Sequence, residues 1–201
     1  SWTTSGDGSF TDPNLLQSEY VPGVNDLISG TVNITLEAIG IAPCSNQTDD
    51  LTVTFTKSPS IDIGTDIVAC ENETITFTDV IIQQYDTLNW THSGTGTLLN
   101  STSTSPTYVP GTNETGIIIF TVFVNPQAPC SGQEVAQKII QYNEGPTVSA
   151  GADAILCEEN ESFTVSDAQV FYVTGVQWNA PTGDGSFINA NTLTPTYTPG
   201  P

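Results

Sequence analysis

The sequence predicts an all-β fold built from tandem two-sheet sandwich modules, and three observations support this prediction. Runs rich in Thr, Val and Ile are interrupted by 17 glycines and 13 prolines, which is typical of short strands joined by turns. Apolar residues nowhere recur with the 3.6-residue period of an amphipathic helix. A set of sequence marks recurs at intervals of about 87 residues, close to the size of a small β-sandwich.

The repeat is defined by several residue types that recur in one order. The tryptophans Trp2, Trp90 and Trp178 are separated by 88 residues (2 to 90 and 90 to 178). Each is followed by a Tyr-x-Pro-Gly motif, which begins at Tyr20, Tyr108 and Tyr197. The cysteines follow the same period, in the pairs Cys44 with Cys130 and Cys70 with Cys157. Four marks in one order at one period indicate a duplicated structural unit.

These marks divide the chain into one complete copy and two partial copies. Residues 1–57 hold the C-terminal part of one repeat, residues 58–144 a complete repeat, and residues 145–201 the N-terminal part of another. A half sandwich exposes its core face and its open strand edges. We therefore expect that the polypeptide continues at both ends, or that neighbouring chains complete the halves by strand exchange.

The complete copy is predicted to contain seven short strands. The run 116–124 is the most apolar, so we place it centrally in its sheet. The predicted strands are 61–69 (split at Gly64), 74–82, 87–92, 97–99, 107–109, 116–124 and 133–142. This number and spacing match a two-sheet sandwich.

The charge of the chain is strongly one-sided. Lys57 and Lys138 are the only cationic side chains against 22 carboxylates, which gives a formal net charge of −20. Such a chain is repelled by nucleic acids and by anionic lipid surfaces, so neither is an expected partner. No apolar run is long enough to insert into a membrane. The acidity leaves cations as small partners, although a solvated acidic surface is the simpler explanation.

The recurring aromatic residues are predicted to form the structural core of each copy. These are Trp2, Trp90, Trp178, Tyr20, Tyr108 and Tyr197. A Trp on the third strand of a sandwich is typically a core residue, and the alternative is a side chain that stacks on carbohydrate. Strict recurrence favours the core, because a binding site need not occur in every copy.

Acidic residues near the copy boundaries are candidate calcium ligands. Asp62, Asp66 and Asp153 are the predicted ligands, with Glu71, Glu158 and Glu159 nearby. Calcium prefers several carboxylate and carbonyl oxygens at one point, and module junctions can supply them. The Gly-Asp-Gly segments at 6–8 and 183–185 suit either tight turns or a cation site, and the turn is the simpler interpretation.

The cysteine pairing is left open by the sequence. Cys70 and Cys130 are expected at opposite ends of one sandwich, so a bond between them needs a modified topology. In each copy one cysteine comes early (Cys70, Cys157) and one comes late (Cys44, Cys130). The alternative joins the early cysteine of one copy to the late cysteine of the next copy, and some of these partners lie outside this segment. The bonds Cys44–Cys70 and Cys130–Cys157 would need two module ends to meet. Repeated cysteines suit an oxidising compartment, and the absence of a C-x-x-C motif argues against a metal site.

The sequence offers no catalytic constellation, so we predict that the protein is not an enzyme. His92 is the single histidine and has no Ser or Cys partner in a nucleophile motif. Its equivalents in the other copies are Thr4 and Ala180, which indicates a strand residue. None of the carboxylates forms a recognisable acid–base pair.

The sequence marks together resemble a known class of module. The complete copy resembles the PKD-like or Ig-like repeats of giant Bacteroidetes-type gliding-motility and cell-surface adhesins, which are cargo of the type 9 secretion system. The residues that carry this resemblance are Gly64, Asp66, Cys70, Trp90, the Tyr108-Val109-Pro110-Gly111 motif and Cys130. The Gly-Asp-Gly segments are similar to the PKD signature, from which the middle copy departs with Gly94-Thr95-Gly96. The segment Asp86-Thr87-Leu88 resembles the short O-glycosylation signal of such proteins, which makes Thr87 a candidate site.

The resemblance implies an extracellular, rope-like adhesin repeat at the cell surface, with neighbouring repeats as its partners and a distal glycan or surface as its ligand. Two other interpretations remain. The chain is an accessory module of a secreted enzyme that binds carbohydrate or protein, or it is a subunit of a self-assembling extracellular filament. No cofactor other than calcium is expected.

Overall fold

A computed structural model describes residues 1–157, 162–180 and 184–200. Within these ranges the chain consists of β-strands and one short helix, which confirms the predicted all-β class. The only helix in these ranges has six residues, too few to cross a membrane.

The strands fall into three groups along the chain. Residues 1–57 contain β1 (Trp2–Thr4), β2 (Ser9–Phe10), β3 (Tyr20–Val21), α1 (Val24–Ser29), β4 (Thr31–Ala38) and β5 (Gln47–Thr54). Residues 58–144 contain β6 (Ser60–Asp62), β7 (Ile67–Cys70), β8 (Ile75–Thr76), β9 (Ile81–Gln83), β10 (Tyr85–His92), β11 (Thr97–Leu99), β12 (Thr107–Val109), β13 (Gly116–Pro126) and β14 (Glu134–Asn143). The remainder contains β15 (Thr147–Ser149), β16 (Phe163–Thr164), β17 (Gln169–Phe171), β18 (Ser186–Ile188) and β19 (Thr196–Thr198).

The first layer of the middle segment is a four-stranded sheet in the order β10-β13-β14-β7. β13 pairs antiparallel with β10 and β14, so the most apolar strand is central, as predicted. Alternate residues of β13 are buried, namely Ile118, Phe120, Val122 and Val124. This two-residue period is what one buried sheet face requires. β7 joins the other edge of β14 in parallel.

The second layer is formed by the β11-β12-β8 and β6-β9 sheets. The predicted strand 74–82 is split into β8 and β9, which pair with different strands, β12 and β6. Between them the Phe77 N–H donates to Pro106 O at 3.0 Å, and the Phe77 side chain is fully buried. The strand therefore changes partner at the point where it delivers its largest side chain to the core.

The core between the two layers is built on packed aromatic rings. The ring of Phe77 lies 5.4 Å from that of Trp90 and 5.1 Å from that of Phe120, in edge-on arrangements. The ring of Tyr108 is 4.8 Å from that of Phe120. Edge-to-face packing of this kind adds about 0.5–1.5 kcal/mol per pair to the burial of apolar area.

The end segments repeat parts of this plan. Residues 1–57 form the β1-β4-β5 and β2-β3 sheets, and the last segment forms β15-β17 and β16-β19-β18. Helix α1 was not predicted. Six residues lie between Gly23 and Gly30, whereas four lie between Gly111 and Gly116, and the two extra residues allow one helical turn.

Candidate functional site

The most elaborate polar site in residues 1–57 is a buried carboxylate that closes the Gly-Asp-Gly turn. The Asp26 side chain is 2% exposed. Its Oδ2 accepts hydrogen bonds from the Tyr20 hydroxyl at 2.6 Å and from the Gly8 and Gly23 amides at 3.0 Å. Its Oδ1 accepts from the Asp7 amide at 3.2 Å. Four donors leave the carboxylate satisfied within the protein.

The middle segment builds the same site with a glutamate. The Glu114 side chain is 8% exposed, and its Oε2 accepts from the Tyr108 hydroxyl at 2.7 Å and the Gly111 amide at 2.8 Å. Its Oε1 accepts from the Thr95 amide. In both copies the acid follows the Gly of Tyr-x-Pro-Gly by three residues. This spacing is visible in the sequence, although neither acid was predicted as a site residue.

These hydrogen bonds shift the titration of both partners. The Tyr20 hydroxyl, followed by the Gly23 amide, lowers the pKa of Asp26. Burial opposes the same shift at Glu114, but the Thr95 and Gly111 amides hold its pKa below the usual value. Burial, with the neighbouring Glu114, raises the pKa of Tyr108. The pair is therefore a neutral phenol bonded to an ionised carboxylate at neutral pH.

The acid of the Gly-Asp-Gly segment at 6–8 serves this same site. Asp7 Oδ1 and Oδ2 accept from the backbone amides of Asp26 and Asn25, at 3.2 and 3.1 Å. These amides lie in the first turn of α1, where a carboxylate satisfies otherwise unpaired donors. The arrangement is that of a turn that anchors the following helix. In the second such segment Gly183 lies outside the described residues.

An ion pair between a buried lysine and a partly exposed aspartate is a second polar site of the middle segment, and it was not predicted from the sequence. Lys138, on β14, is 0% exposed, and its Nζ donates to both Asp79 carboxylate oxygens at 3.0 Å and to Ile63 O at 2.7 Å. It also donates to Thr65 O. The hydrogen bond from Lys138 is the main cause of a lowered pKa at Asp79. The ammonium group thus joins β14 to the β6–β7 connection and to the β8–β9 connection.

The predicted calcium ligands are not brought together. Asp62 Oδ1 accepts from the Gly64 amide at 3.0 Å, and Asp66 Oδ1 accepts from the Ile139 amide at 2.9 Å. Asp153 is exposed in an irregular segment. Across the described ranges, no group of three His, Cys, Asp or Glu side chains is placed to hold a metal ion. Glu158 and Glu159 lie outside those ranges, and calcium binding stays a prediction.

The predicted core aromatics occupy equivalent places with different burial. The indole Nε1 groups of Trp2, Trp90 and Trp178 donate to Leu15 O, Ser103 O and Thr192 O at 3.0, 3.1 and 2.9 Å. Trp90 is 2% exposed and Tyr108 is fully buried. Trp2, Trp178, Tyr20 and Tyr197 are half-buried. The Trp90 ring is therefore not available to stack on a sugar.

Two further candidate side chains, His92 and Thr87, both lie on β10. The His92 ring packs 5.0 Å from the Tyr108 ring, and its buried Nδ1 has no hydrogen-bond partner among the described residues. Thr87 is exposed on β10, and its Oγ1 accepts from Asn125 Nδ2 at 2.9 Å. Its modification stays a prediction.

The cysteines lie at the ends of the copies. All four fall in the described ranges and all are free thiols. Cys70 ends β7 opposite Asn143, the last residue of β14, whereas Cys130 lies in the turn before β14. β14 extends about 30 Å between these ends, far more than the ~4.4–6.8 Å between the Cα atoms of a disulfide. A Cys70–Cys130 bond within one copy does not fit this placement, and the pairing of the cysteines stays a prediction.

Comparison with known proteins gives only distant structural similarity. No family model matches the chain, and no curated protein matches it. The solution structure of the PKD domain from KIAA 1837 protein covers 43% of this chain and 90% of its own, with 20% identity and a TM-score of 0.33. The crystal structure of the human desmocollin-1 ectodomain covers 99% of this chain and 45% of its own, with 9% identity and a TM-score of 0.35.

Proposed function

We propose that this chain is a non-enzymatic part of a stalk in a large secreted bacterial cell-surface protein, and that it serves in surface adhesion and gliding motility. One observation carries the proposal. The hydrogen bond from indole to carbonyl recurs in all three copies, and the hydrogen bond from tyrosine to carboxylate recurs in the first two; each of these bonds lies within one copy. A polymer of such copies adds length and mechanical continuity without adding a reactive centre.

The distribution of charge supports an extracellular, extended array. Lys138 is buried, so Lys57 is the one cationic side chain on the described surface, against 22 carboxylates in the whole chain. Mutual repulsion between neighbouring copies opposes collapse of the array on itself. The partners we propose are therefore the neighbouring repeats, with a glycan or a solid surface bound elsewhere in the parent protein. Calcium at the junctions belongs to the same proposal and would stiffen them.

Force spectroscopy tests the mechanical part of the proposal. The 201-residue chain is held between reference domains and stretched. We expect one main unfolding event that lengthens the chain by about 25–30 nm, the contour of the middle copy at ~3.6 Å per residue. The Ile119→Pro variant, which removes an amide from the centre of β13, should lose this event. A chain that extends without a force peak would contradict the stalk role.

Surface labelling tests the location and the adhesive role. Antibodies against the chain should label intact cells of the source organism and reduce their attachment to glass. Labelling only after the cells are permeabilised would overturn the proposal. Glycan-array binding by the purified chain would instead favour the accessory-module interpretation.

A further inference from the structure

The late cysteine of the middle copy touches the copy before it. Cys130 lies in the turn between β13 and β14, and its Sγ is 3.2 Å from the carbonyl oxygen of Thr56. Thr56 follows β5, the last strand of residues 1–57. The turn that carries Cys130 therefore meets the end of the last strand of the preceding copy.

The repeat identifies what lies beside that strand end in a complete copy. The Phe55 N–H donates to Gly30 O, and in the middle copy Tyr142 is the ladder partner of Gly116. Gly30 and Gly116 both have positive φ; Gly30 directly precedes β4, and Gly116 is the first residue of the equivalent strand β13. Phe55 thus corresponds to Tyr142, and Thr56 corresponds to the next residue, Asn143.

Asn143 is the ladder partner of Cys70 in the parallel β14–β7 pair. The early cysteine of a complete copy therefore lies beside the strand end on which the late cysteine of the following copy rests. Neighbouring strands are about 4.8 Å apart, within the ~4.4–6.8 Å that a disulfide allows between its Cα atoms. We infer that the early cysteine of each copy forms a disulfide with the late cysteine of the copy that follows it. The inference rests on the proposed tandem array.

Within one molecule of residues 1–201, no two cysteines stand in this relation. Cys44 lies in the β4–β5 turn, away from the junction with the middle copy, and Cys70 lies at the far end of the middle copy. When residues 1–201 are studied by themselves, a second molecule of this chain supplies the partners. There, residues 1–57 of one molecule complete the copy begun by residues 145–200 of another, and the resulting bonds are Cys70 to Cys44 and Cys157 to Cys130.

The edges that such a union requires are open in this structure. β5 pairs with β4 along one edge, and its other edge is open within the described ranges. The equivalent strand of the middle copy, β14, binds β7 along that second edge. Residues 154–157 occupy the repeat position of β7, and Ile155 is 100% exposed. Parallel addition of this segment to the free edge of β5 reproduces the β7–β14 pair and places Cys157 beside Thr56, where Cys130 lies.

The oxidant for the bond is a small disulfide such as oxidised glutathione. One cysteine thiolate attacks it and displaces one glutathione thiolate, which forms a mixed disulfide. The thiolate of the second cysteine then displaces the second glutathione. Two electrons pass to glutathione, and the two cysteine protons leave to solvent. Cys44, Cys70 and Cys157 are exposed, so thiol exchange can reach them.

Two double variants, each with two cysteines remaining, test the inferred pairing of early with late cysteines. The chain is concentrated in a glutathione redox buffer, and products are separated without reductant and mapped by mass spectrometry. C44S/C70S keeps Cys130 and Cys157 and should form disulfide-linked dimers and longer oligomers, because every molecule keeps one cysteine for each neighbour. C44S/C157S keeps Cys70 and Cys130 and should form about tenfold fewer, because these thiols do not meet.

The unsubstituted chain should give a ladder of oligomers whose linked peptides are Cys44–Cys70 and Cys130–Cys157. A mixture of ¹⁵N-labelled and unlabelled chain shows that each bond joins two molecules. Equal dimer yields from the two variants, bonds within one molecule, or monomers that keep four free thiols would each overturn the inference. None of these outcomes changes the unfolding force peak of the middle copy, so the two proposals fail separately.

Discussion

The middle copy and the two end segments carry the same sequence marks but reach different degrees of order. Each Trp makes the same hydrogen bond from its indole to a carbonyl about 13 residues later, yet only Trp90 is fully enclosed. Tyr20 and Tyr108 bind a carboxylate in the same way, with different burial. The comparison teaches that the short-range marks define the local turns, whereas the second layer of strands supplies the core.

The largest expected difference between the regions follows from truncation of the indole. Trp90→Ala should lower the free energy of unfolding of the middle copy by about 3–5 kcal/mol, because it leaves a cavity among Phe77 and its neighbours. Trp178→Ala, in a half-buried site, should cost about 1–2 kcal/mol in its own segment. Hydrogen exchange of the β13 and β14 amides measures the middle copy alone. Equal effects of the two substitutions would remove the distinction between core and edge.

The buried ammonium group gives the next largest effect. Lys138→Ala should destabilise the middle copy by about 2–4 kcal/mol, since it leaves the carbonyls of Ile63 and Thr65 and the Asp79 carboxylate without their donor. The matched change in the first segment is Leu51→Ala, at an exposed position, with an expected cost below about 1 kcal/mol. Urea unfolding curves of the two variants decide the comparison. A Lys138→Ala cost as small as that of Leu51→Ala would mean that water replaces the ammonium donor.

The tyrosine of the Tyr-x-Pro-Gly motif is hydrogen-bonded to a carboxylate in the first two copies but not in the described part of the last segment. Tyr108→Phe should cost about 1–2 kcal/mol, because Glu114 loses a donor in a buried site. Tyr197 has no hydrogen bond to a carboxylate among the residues that the structure describes, so Tyr197→Phe should change stability by less than about 0.5 kcal/mol. Thermal unfolding followed by circular dichroism compares the two. Similar losses from both would show that the hydroxyl acts through packing alone.

The smallest expected effect is a pH dependence. The pKa values of Asp26, Asp79 and Glu114 are lowered in the folded state, so the unfolded chain binds protons first as the pH falls. The stability from these groups is present above their unfolded pKa values and is lost as the pH falls through their folded ones. Relief of repulsion from the net charge of −20 opposes this loss.

The Glu114→Gln variant isolates this contribution to the pH dependence. Its free energy of unfolding should fall less steeply than that of the unsubstituted chain as the pH is lowered from neutral through the carboxylate range, in urea titrations at fixed salt. Parallel curves would contradict the assignment of Glu114 as an ionised, hydrogen-bonded group.

The sequence predicted the strands well because their cause is local. Alternation in the run from Ile118 to Val124 assigns one face to the core, and the glycine and proline positions bound each strand. The split of the strand 74–82 was not predicted, because it depends on which neighbours β8 and β9 find. Helix α1 is too short to show a period.

The polar sites were less accessible to prediction from the sequence. Lys138 and Asp79 are 59 residues apart, and no local pattern relates them. Asp26 and Glu114, in contrast, recur three residues after a motif glycine, and this spacing could have identified them. The candidate calcium ligands were predicted from proximity in sequence, but Asp62 and Asp66 point to separate backbone amides.

Enclosure of Lys138 has a practical consequence for native proteolysis. Trypsin cleaves after lysine and arginine, and Arg is absent from the chain. Lys57 is exposed between β5 and β6, whereas Lys138 is inside a folded sandwich. Brief digestion of the native protein should therefore cut once, after Lys57, and release the first segment from the rest.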